Sequence, residues 1–196
     1  MAHPHVWIDG GVDFAMRDGD ILEALQVTWL YDEFETLYMI AEAGLRLDSS
    51  GGLDNSDRQA LIRHLSNWPE DFDGSAHLSV DGLPVPLDWP QGLDAQVIDG
   101  RLQMTFTRPL STPVSLAGRS VDVGFYESTY FFAFSITNAP RILPAQSACA
   151  AKVIRFDPET APDGLLADLA ALDREETPKI ANVGALFADR ISLTCG

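Results

Sequence analysis

The fold is decided near the start of the chain, by the stretch VWIDGGVDFAMRDGDILEALQVTWLY at residues 6–31. Residues 6–14 predict a first strand, in which Gly10-Gly11 indicates a bulge or a close approach of another backbone. Asp18-Gly19 is the strongest short signal for a hairpin turn. Residues 21–31 predict a second strand, and period-two alternation places four side chains on one of its faces: Leu25, Val27, Trp29 and Tyr31. We therefore expect an antiparallel hairpin to open the fold.

Helical spacing follows the hairpin. Residues 34–45 predict a helix whose apolar stripe consists of Phe34, Leu37, Tyr38, Ile40 and Ala41. A loop rich in Ser, Gly and Asp at residues 48–55 precedes a second predicted helix at residues 57–68, which Asn55 or Ser56 caps and Pro69 ends. The two helices form an insertion at about residues 34–68, after the second strand.

The remaining sequence has the pattern of short strands and turns. We predict strands at residues 76–80, 85–87, 95–98, 101–108, 121–125, 130–137, 148–156 and 190–195, with hairpin turns at Asp81-Gly82 and Asp99-Gly100. A short helix is expected at residues 164–172. The predicted fold class is α+β: mainly antiparallel and sandwich-like, with a helical insertion after the second strand and a short C-terminal helix. We expect residues 1–196 to form a single domain.

The charge balance narrows the possible partners. The chain has 29 acidic and 13 basic residues and a formal net charge of −16. Such a surface repels phosphate backbones, so nucleic acid is not an expected partner. No apolar run reaches the roughly 18 residues that a membrane-spanning helix needs, so we expect no direct membrane insertion.

Two cysteines, Cys149 and Cys195, are too few for a structural zinc motif. Cys195 is the penultimate residue, an unusual place for a buried thiol. A disulfide between them would tie the last strand to an interior one, which makes sense in an oxidising compartment. The alternative is a pair of unrelated free thiols.

The N-terminal His3-Pro4-His5 carries the most distinctive candidate chemistry. In an extended chain His3 and His5 share a face, with Cα atoms roughly 7 Å apart, and their imidazoles can converge on one metal ion. Zinc is the expected ion, with copper or nickel as alternatives. The other interpretation is a solvated chain terminus. Met1-Ala2 is typical of a start placed at a signal-cleavage point, so we expect an exported chain whose mature form begins at His3.

Three acidic residues are candidate oxygen ligands. Asp32 and Glu33 lie where the second predicted strand meets the first helix. In an antiparallel hairpin this point lies opposite the start of the first strand, within plausible reach of His3 or His5. Asp32 could instead be a helix N-cap. Glu127, between two predicted strands, is a more distant candidate ligand or a turn residue.

Enzyme motifs are missing from the sequence. It contains no Gly-x-Ser-x-Gly elbow, no phosphate-cradling glycine loop and no His-Glu-x-x-His. We therefore expect a protein that is not an enzyme.

Four segments together resemble a known family: His3 to Asp9, Trp29 to Phe34, Tyr126 to Tyr130, and Phe187 to Cys195. The chain resembles, essentially end to end, domain-of-unknown-function family 1007, described as the periplasmic component of an uncharacterised ABC-type transport system. Family members carry a signal peptide immediately before His-Pro-His, are often encoded beside nickel/cobalt-type permeases, and some are implicated in periplasmic zinc handling. His3 and His5 match the leading motif of the family, and Asp32 and Glu33 match its acidic pair.

The resemblance and the residues lead to three hypotheses. The first is a periplasmic metal-binding accessory protein, for zinc, that serves a membrane permease. The second is a non-catalytic structural or interaction module of a transport complex, in which His3-Pro4-His5 docks. The third is a metal-dependent enzyme.

Overall fold

The computed structural model describes residues 3–70, 72–145, 149–173 and 176–196. Its strands are β1 (Val6–Arg17), β2 (Ile21–Tyr31), β3 (Ala76–Val80), β4 (Leu83–Pro84), β5 (Gln91–Ile98), β6 (Arg101–Ser115), β7 (Val121–Phe125), β8 (Phe132–Ile136), β9 (Ile142–Leu143), β10 (Cys149–Ile154) and β11 (Asp189–Cys195). Its helices are α1 (Glu33–Glu42), α2 (Asn55–Leu65) and α3 (Leu165–Ala170), with 3₁₀ turns at Pro158–Thr160 and Val183–Phe187. The predicted start of a strand at Ala148, and Met1-Ala2, lie outside the described residues.

The opening hairpin is confirmed. β1 and β2 pair antiparallel from Ile8 opposite Tyr31 to Arg17 opposite Ile21. Gly10 allows a close backbone approach, because a Cβ atom at this position would lie 1.9 Å from the carbonyl oxygen of Thr28. The predicted inward face of β2 is buried along its length.

The three Asp-Gly turns have the conformation that short hairpins require. At Asp18-Gly19, Asp81-Gly82 and Asp99-Gly100 both residues have positive φ angles, between 50° and 91°. This left-handed pair matches the twist of the flanking strands and is disfavoured for most other dipeptides. The turns join β1 to β2, β3 to β4 and β5 to β6.

The strands form two sheets. In the first, the order is β5-β6-β2-β1-β8, and β9 also pairs with β1; in the second, it is β10-β11-β7-β3-β4. The pairing is antiparallel except that β8 and β9 run parallel to β1. The predicted strand at residues 85–87 is wrong: the chain pairs at β4 instead, and Leu87 makes an isolated bridge to Leu110.

One hydrophobic core draws residues from both sheets. From the first sheet, alternate residues of β1, β2 and β6 point into the core, among them Phe14, Leu25 and Phe106. From the second sheet, β7 contributes Phe125 and β11 contributes Leu193. The expected β-rich, sandwich-like arrangement is therefore confirmed in its broad form.

The helices follow β2, as expected, but α1 buries only part of its predicted apolar stripe. Thr36 and Ile40 are its buried residues, whereas Phe34, Leu37 and Tyr38 are 81%, 56% and 53% exposed. The Thr36 hydroxyl accepts a hydrogen bond from the Leu102 amide at 2.7 Å. This bond joins α1 to β6. Of the predicted apolar stripe, Ile40 is buried as expected, whereas Phe34, Leu37 and Tyr38 lie on the outside.

Cys149 and Cys195 lie directly opposite each other on β10 and β11, and they form the expected disulfide. Its presence is typical of a chain that folds in an oxidising compartment. None of the helices in the described part of the chain is long and apolar enough to cross a membrane.

Candidate functional site

The structure brings His3 and His5 together. Their ring centroids lie 4.8 Å apart, with the ring planes inclined at 70°. His3 is 6% exposed, and its backbone amide donates a hydrogen bond to the carbonyl of Leu169 in α3. His5 donates its backbone amide to the Phe131 carbonyl at 2.9 Å, and its ring packs 4.9 Å from the Phe131 ring. The N-terminal segment is therefore anchored at two points.

One imidazole nitrogen of this pair is notable. Nδ1 of His3 is buried and has no hydrogen-bond partner among the described residues. Buried polar atoms normally have a hydrogen-bond partner or a bound ion, so this nitrogen is available to bind one. A neutral imidazole nitrogen in this state can serve as a metal ligand.

Parallel pairing explains which residues surround the histidines. Val6 of β1 lies opposite Phe132 of β8. Because the two strands run in the same direction, the loop that precedes β8 lies beside the segment that precedes β1. Phe131, the last residue of this loop, contacts the rings of both His3 and His5.

Glu127 begins this loop and organises it. Its carboxylate accepts hydrogen bonds from the Thr129 amide at 2.7 Å, the Thr129 hydroxyl at 2.9 Å and the Phe131 amide at 3.0 Å. Gly184 packs against it so closely that a Cβ atom there would lie 1.8 Å from the Glu127 carbonyl oxygen. Glu127 and the imidazoles therefore share Phe131 as a common neighbour.

Asp32 and Glu33 lie at the start of α1, and Asp32 has the N-cap role that the sequence offered as the alternative to metal binding. Asp32 is the N-cap of α1, where its carboxylate accepts the Glu35 amide at 2.8 Å. Glu33 is exposed, and its Cγ lies 3.9 Å from the Cβ position of Gly100 in the β5–β6 turn. Since β6 flanks β2 on the side opposite β1, the start of α1 carries Glu33 away from the imidazoles.

The five candidate ligands are thus divided between two places. His3 and His5 form a pair, with Glu127 in the adjacent loop, whereas Asp32 and Glu33 belong to the helix start. Within the described residues, no group of three or more His, Cys, Asp or Glu side chains is placed to hold a metal ion. Two imidazoles can supply half of a tetrahedral zinc site, and further ligands would have to come from movement of nearby groups, water or a partner.

The other two histidines have separate environments. His77 stacks on Tyr126 at 3.8 Å, and its Nε2 lies 3.0 Å from the Tyr126 carbonyl oxygen. His64 is exposed on α2. Neither joins the histidine pair.

Sequence reasoning missed Phe131 and Leu169, which hold the histidine pair in place. Phe131 belongs to the Tyr126–Tyr130 neighbourhood that carried the family resemblance, but only the parallel β1–β8 pairing shows its role. Leu169 lies in a second, smaller hydrophobic cluster with Leu165, Val183 and Phe187. No local signal connects that cluster with residue 3.

Comparison with known proteins gives one informative match. No curated protein matches the chain significantly. The family described as "Protein of unknown function (DUF1007)" matches residues 1–195. Because this match spans nearly the whole sequence, the chain belongs to that family.

Proposed function

We propose that the protein is a periplasmic metal-binding accessory protein that takes up zinc through His3 and His5 and serves a membrane metal permease. The observation that carries the proposal is the imidazole pair, 4.8 Å between ring centroids, with Nδ1 of His3 buried and without a hydrogen-bond partner among the described residues. Copper and nickel are the alternative ions, because imidazole suits all three.

The ligand chemistry supports an incomplete, exchangeable site. Zinc takes imidazole nitrogen at about 2.0–2.1 Å and usually has four ligands. His3 and His5 provide two nitrogens, and Glu127 is the candidate carboxylate whose loop shares the Phe131 contact. A site that borrows its remaining ligands from water or from a partner suits a carrier, since such a site releases its ion more readily than a closed one.

The location and partner in this proposal have two supports. The Cys149–Cys195 disulfide favours an oxidising compartment. The resemblance to a periplasmic transport component favours the periplasm and a membrane permease as partner. The proposal assigns the protein binding and delivery, with no catalytic step.

A second candidate function is a structural or interaction module of the transport complex. The observation in its favour is the outward face of α1, where Phe34, Leu37 and Tyr38 are all more than half exposed. Residues at i, i+3 and i+4 form one helix face, and exposed apolar patches are common at interaction sites. On this hypothesis the histidines stabilise the N-terminal segment and bind no ion.

Calorimetric zinc titration distinguishes the two. We expect the His3→Ala/His5→Ala double variant to lose at least tenfold in zinc affinity, while a His64→Ala variant, which removes an exposed histidine elsewhere, keeps the affinity of the parent. Circular dichroism of each variant checks that it is folded. Unchanged zinc affinity in the double variant would rule out the metal proposal and leave the interaction module.

A further inference from the structure

A cleft of about 520 Å³ opens beside the Glu127 loop, between β2, β8 and the segment that follows α2. Six aromatic side chains line it: Trp29, Trp68, Phe72, Phe131, Phe132 and Phe134. Its volume lies within the range of small-molecule binding sites, which is roughly 300–1,000 Å³.

The rings are arranged as inclined surfaces around the cleft. Trp68 and Phe72 stack on each other at 4.2 Å. Trp29 stands at 83° to Trp68 and at 63° to Phe72, with centroids 6.3 and 5.8 Å away. The wall of the cleft is therefore built from aromatic rings that hold one another in place, and an aromatic surface of this kind can take part in cation–π contacts.

Trp29 forms the inner wall of the cleft. Only 6% of the residue is exposed, because its indole packs against Trp68, Phe72, Phe106 and Phe134.

The charge of the cleft selects the ligand class. Among the described residues its lining includes two carboxylates, Asp73 and Glu127, and no lysine or arginine. The Glu127 carboxylate is held by the amides of Thr129 and Phe131 and forms no ion pair with a described cationic side chain. A negative charge fixed beside aromatic faces favours a cation, and aromatic faces favour one that carries alkyl groups.

We propose that this cleft binds a small organic cation of the alkylammonium class, held by cation–π contact with Trp68, Phe72 and Trp29 and by the charge of Glu127. This site is distinct from the imidazole pair of His3 and His5, although Glu127, the candidate carboxylate of the metal proposal, also lines the cleft. A bare metal ion does not fit the same description, because indole and phenyl rings supply no ligand atoms for zinc.

Choline is the probe, and its uncharged isostere 3,3-dimethyl-1-butanol is the matched control ligand. By isothermal titration calorimetry at fixed ionic strength, we expect choline to bind with a dissociation constant in the millimolar range or tighter, and the alcohol to bind at least tenfold more weakly. Equal amounts of sodium chloride control for diffuse cation attraction to a protein of net charge −16. Equal affinity for both ligands, or no binding of choline, would overturn the proposal.

Single substitutions in the cleft test whether choline binds there. Trp68→Leu and Glu127→Gln should each weaken choline at least fivefold. Trp7→Leu, which changes an exposed tryptophan outside the cleft, should leave it unchanged. Trp68→Leu should keep the zinc affinity of the parent protein. The choline proposal and the metal proposal can therefore fail independently of each other. Choline binding that survives both cleft variants, each checked for folding by circular dichroism, would contradict the assignment.

Discussion

Replacement of Asp189 tests how the two sheets are held together. This residue starts β11 and is 7% exposed. Its carboxylate accepts the Ile136 amide of β8 at 2.9 Å, the Phe156 amide at 2.9 Å and the Arg155 guanidinium at 2.8 Å. One side chain therefore ties the first sheet to the second sheet and to the segment after β10.

Asp189→Ala should lower the free energy of unfolding by about 2–6 kcal/mol, because two backbone amides lose their acceptors and each unsatisfied buried amide costs about 1–3 kcal/mol. The ion pair adds little, since the Arg155 side chain is 58% exposed. Asp189→Asn keeps one acceptor oxygen and should lie between the parent and the alanine variant. Urea denaturation of the oxidised protein measures the differences.

Asp122→Ala is the matched control. Asp122 pairs with Arg190 at 3.1 Å on the same sheet, and the Arg190 side chain is 55% exposed, so its loss should cost less than about 1 kcal/mol. If both alanine variants lost less than that, the assignment of Asp189 as a bridge between the sheets would be refuted.

Four further predictions follow from other parts of the molecule. Replacing both cysteines with serine should cost about 4 kcal/mol by urea denaturation, from the closure entropy of a loop with a sequence separation of 46 residues; a loss below about 1 kcal/mol would refute this. Gly184→Ala should lower zinc and choline affinity together, because the new Cβ overlaps the Glu127 carbonyl; normal affinity for both would show that the loop tolerates it. Hydrogen bonds from Arg119 and Ser120 lower the pKa of Asp81 below its ordinary 3.8, so its contribution to stability is present above about pH 4 and is lost at lower pH; acid denaturation of Asp81→Asn should lack that component. Zinc affinity should fall below about pH 6, where imidazole protonates; a flat titration series from pH 5 to 8 would exclude histidine ligands.

The opening hairpin could be predicted because its signals are local. Alternation placed Trp29 and Tyr31 inside, and Asp18-Gly19 has the two positive φ angles that its composition favours. The Cys149–Cys195 bond followed from residue type and position near a strand end. Such features depend on neighbours in sequence, which periodicity and turn chemistry describe well.

The face of α1 could not be predicted from apolarity alone. The pattern favoured burial of Phe34, Leu37 and Tyr38, yet the helix is oriented by a polar residue, Thr36, whose hydroxyl satisfies the Leu102 amide. A buried threonine that accepts a hydrogen bond from another strand leaves no periodic signal. The predicted stripe is therefore correct for Ile40 and wrong for Phe34, Leu37 and Tyr38.

The surroundings of His3 and His5 depend on a pairing between distant parts of the chain. The hairpin argument predicted Asp32 or Glu33 near the imidazoles, and it assumed that the β1–β2 pairing extends back to His3 and His5. In the structure the pairing with β2 ends at Ile8 opposite Tyr31, and β8 continues along β1 to Val6. The sequence could suggest Glu127 as a ligand. It could not show that Glu127 lies in the loop before β8, or that β8 pairs parallel with β1.

The central claim is that His3 and His5 bind zinc, and X-ray absorption spectroscopy at the zinc edge tests it most directly. The protein loaded with one equivalent of zinc should show nitrogen ligands at about 2.0–2.1 Å, with the outer-shell scattering of two imidazoles. The His3→Ala/His5→Ala variant, loaded in the same way, should lose that imidazole signature. A spectrum of the parent protein with oxygen ligands alone, or one that the double variant reproduces, would contradict the account.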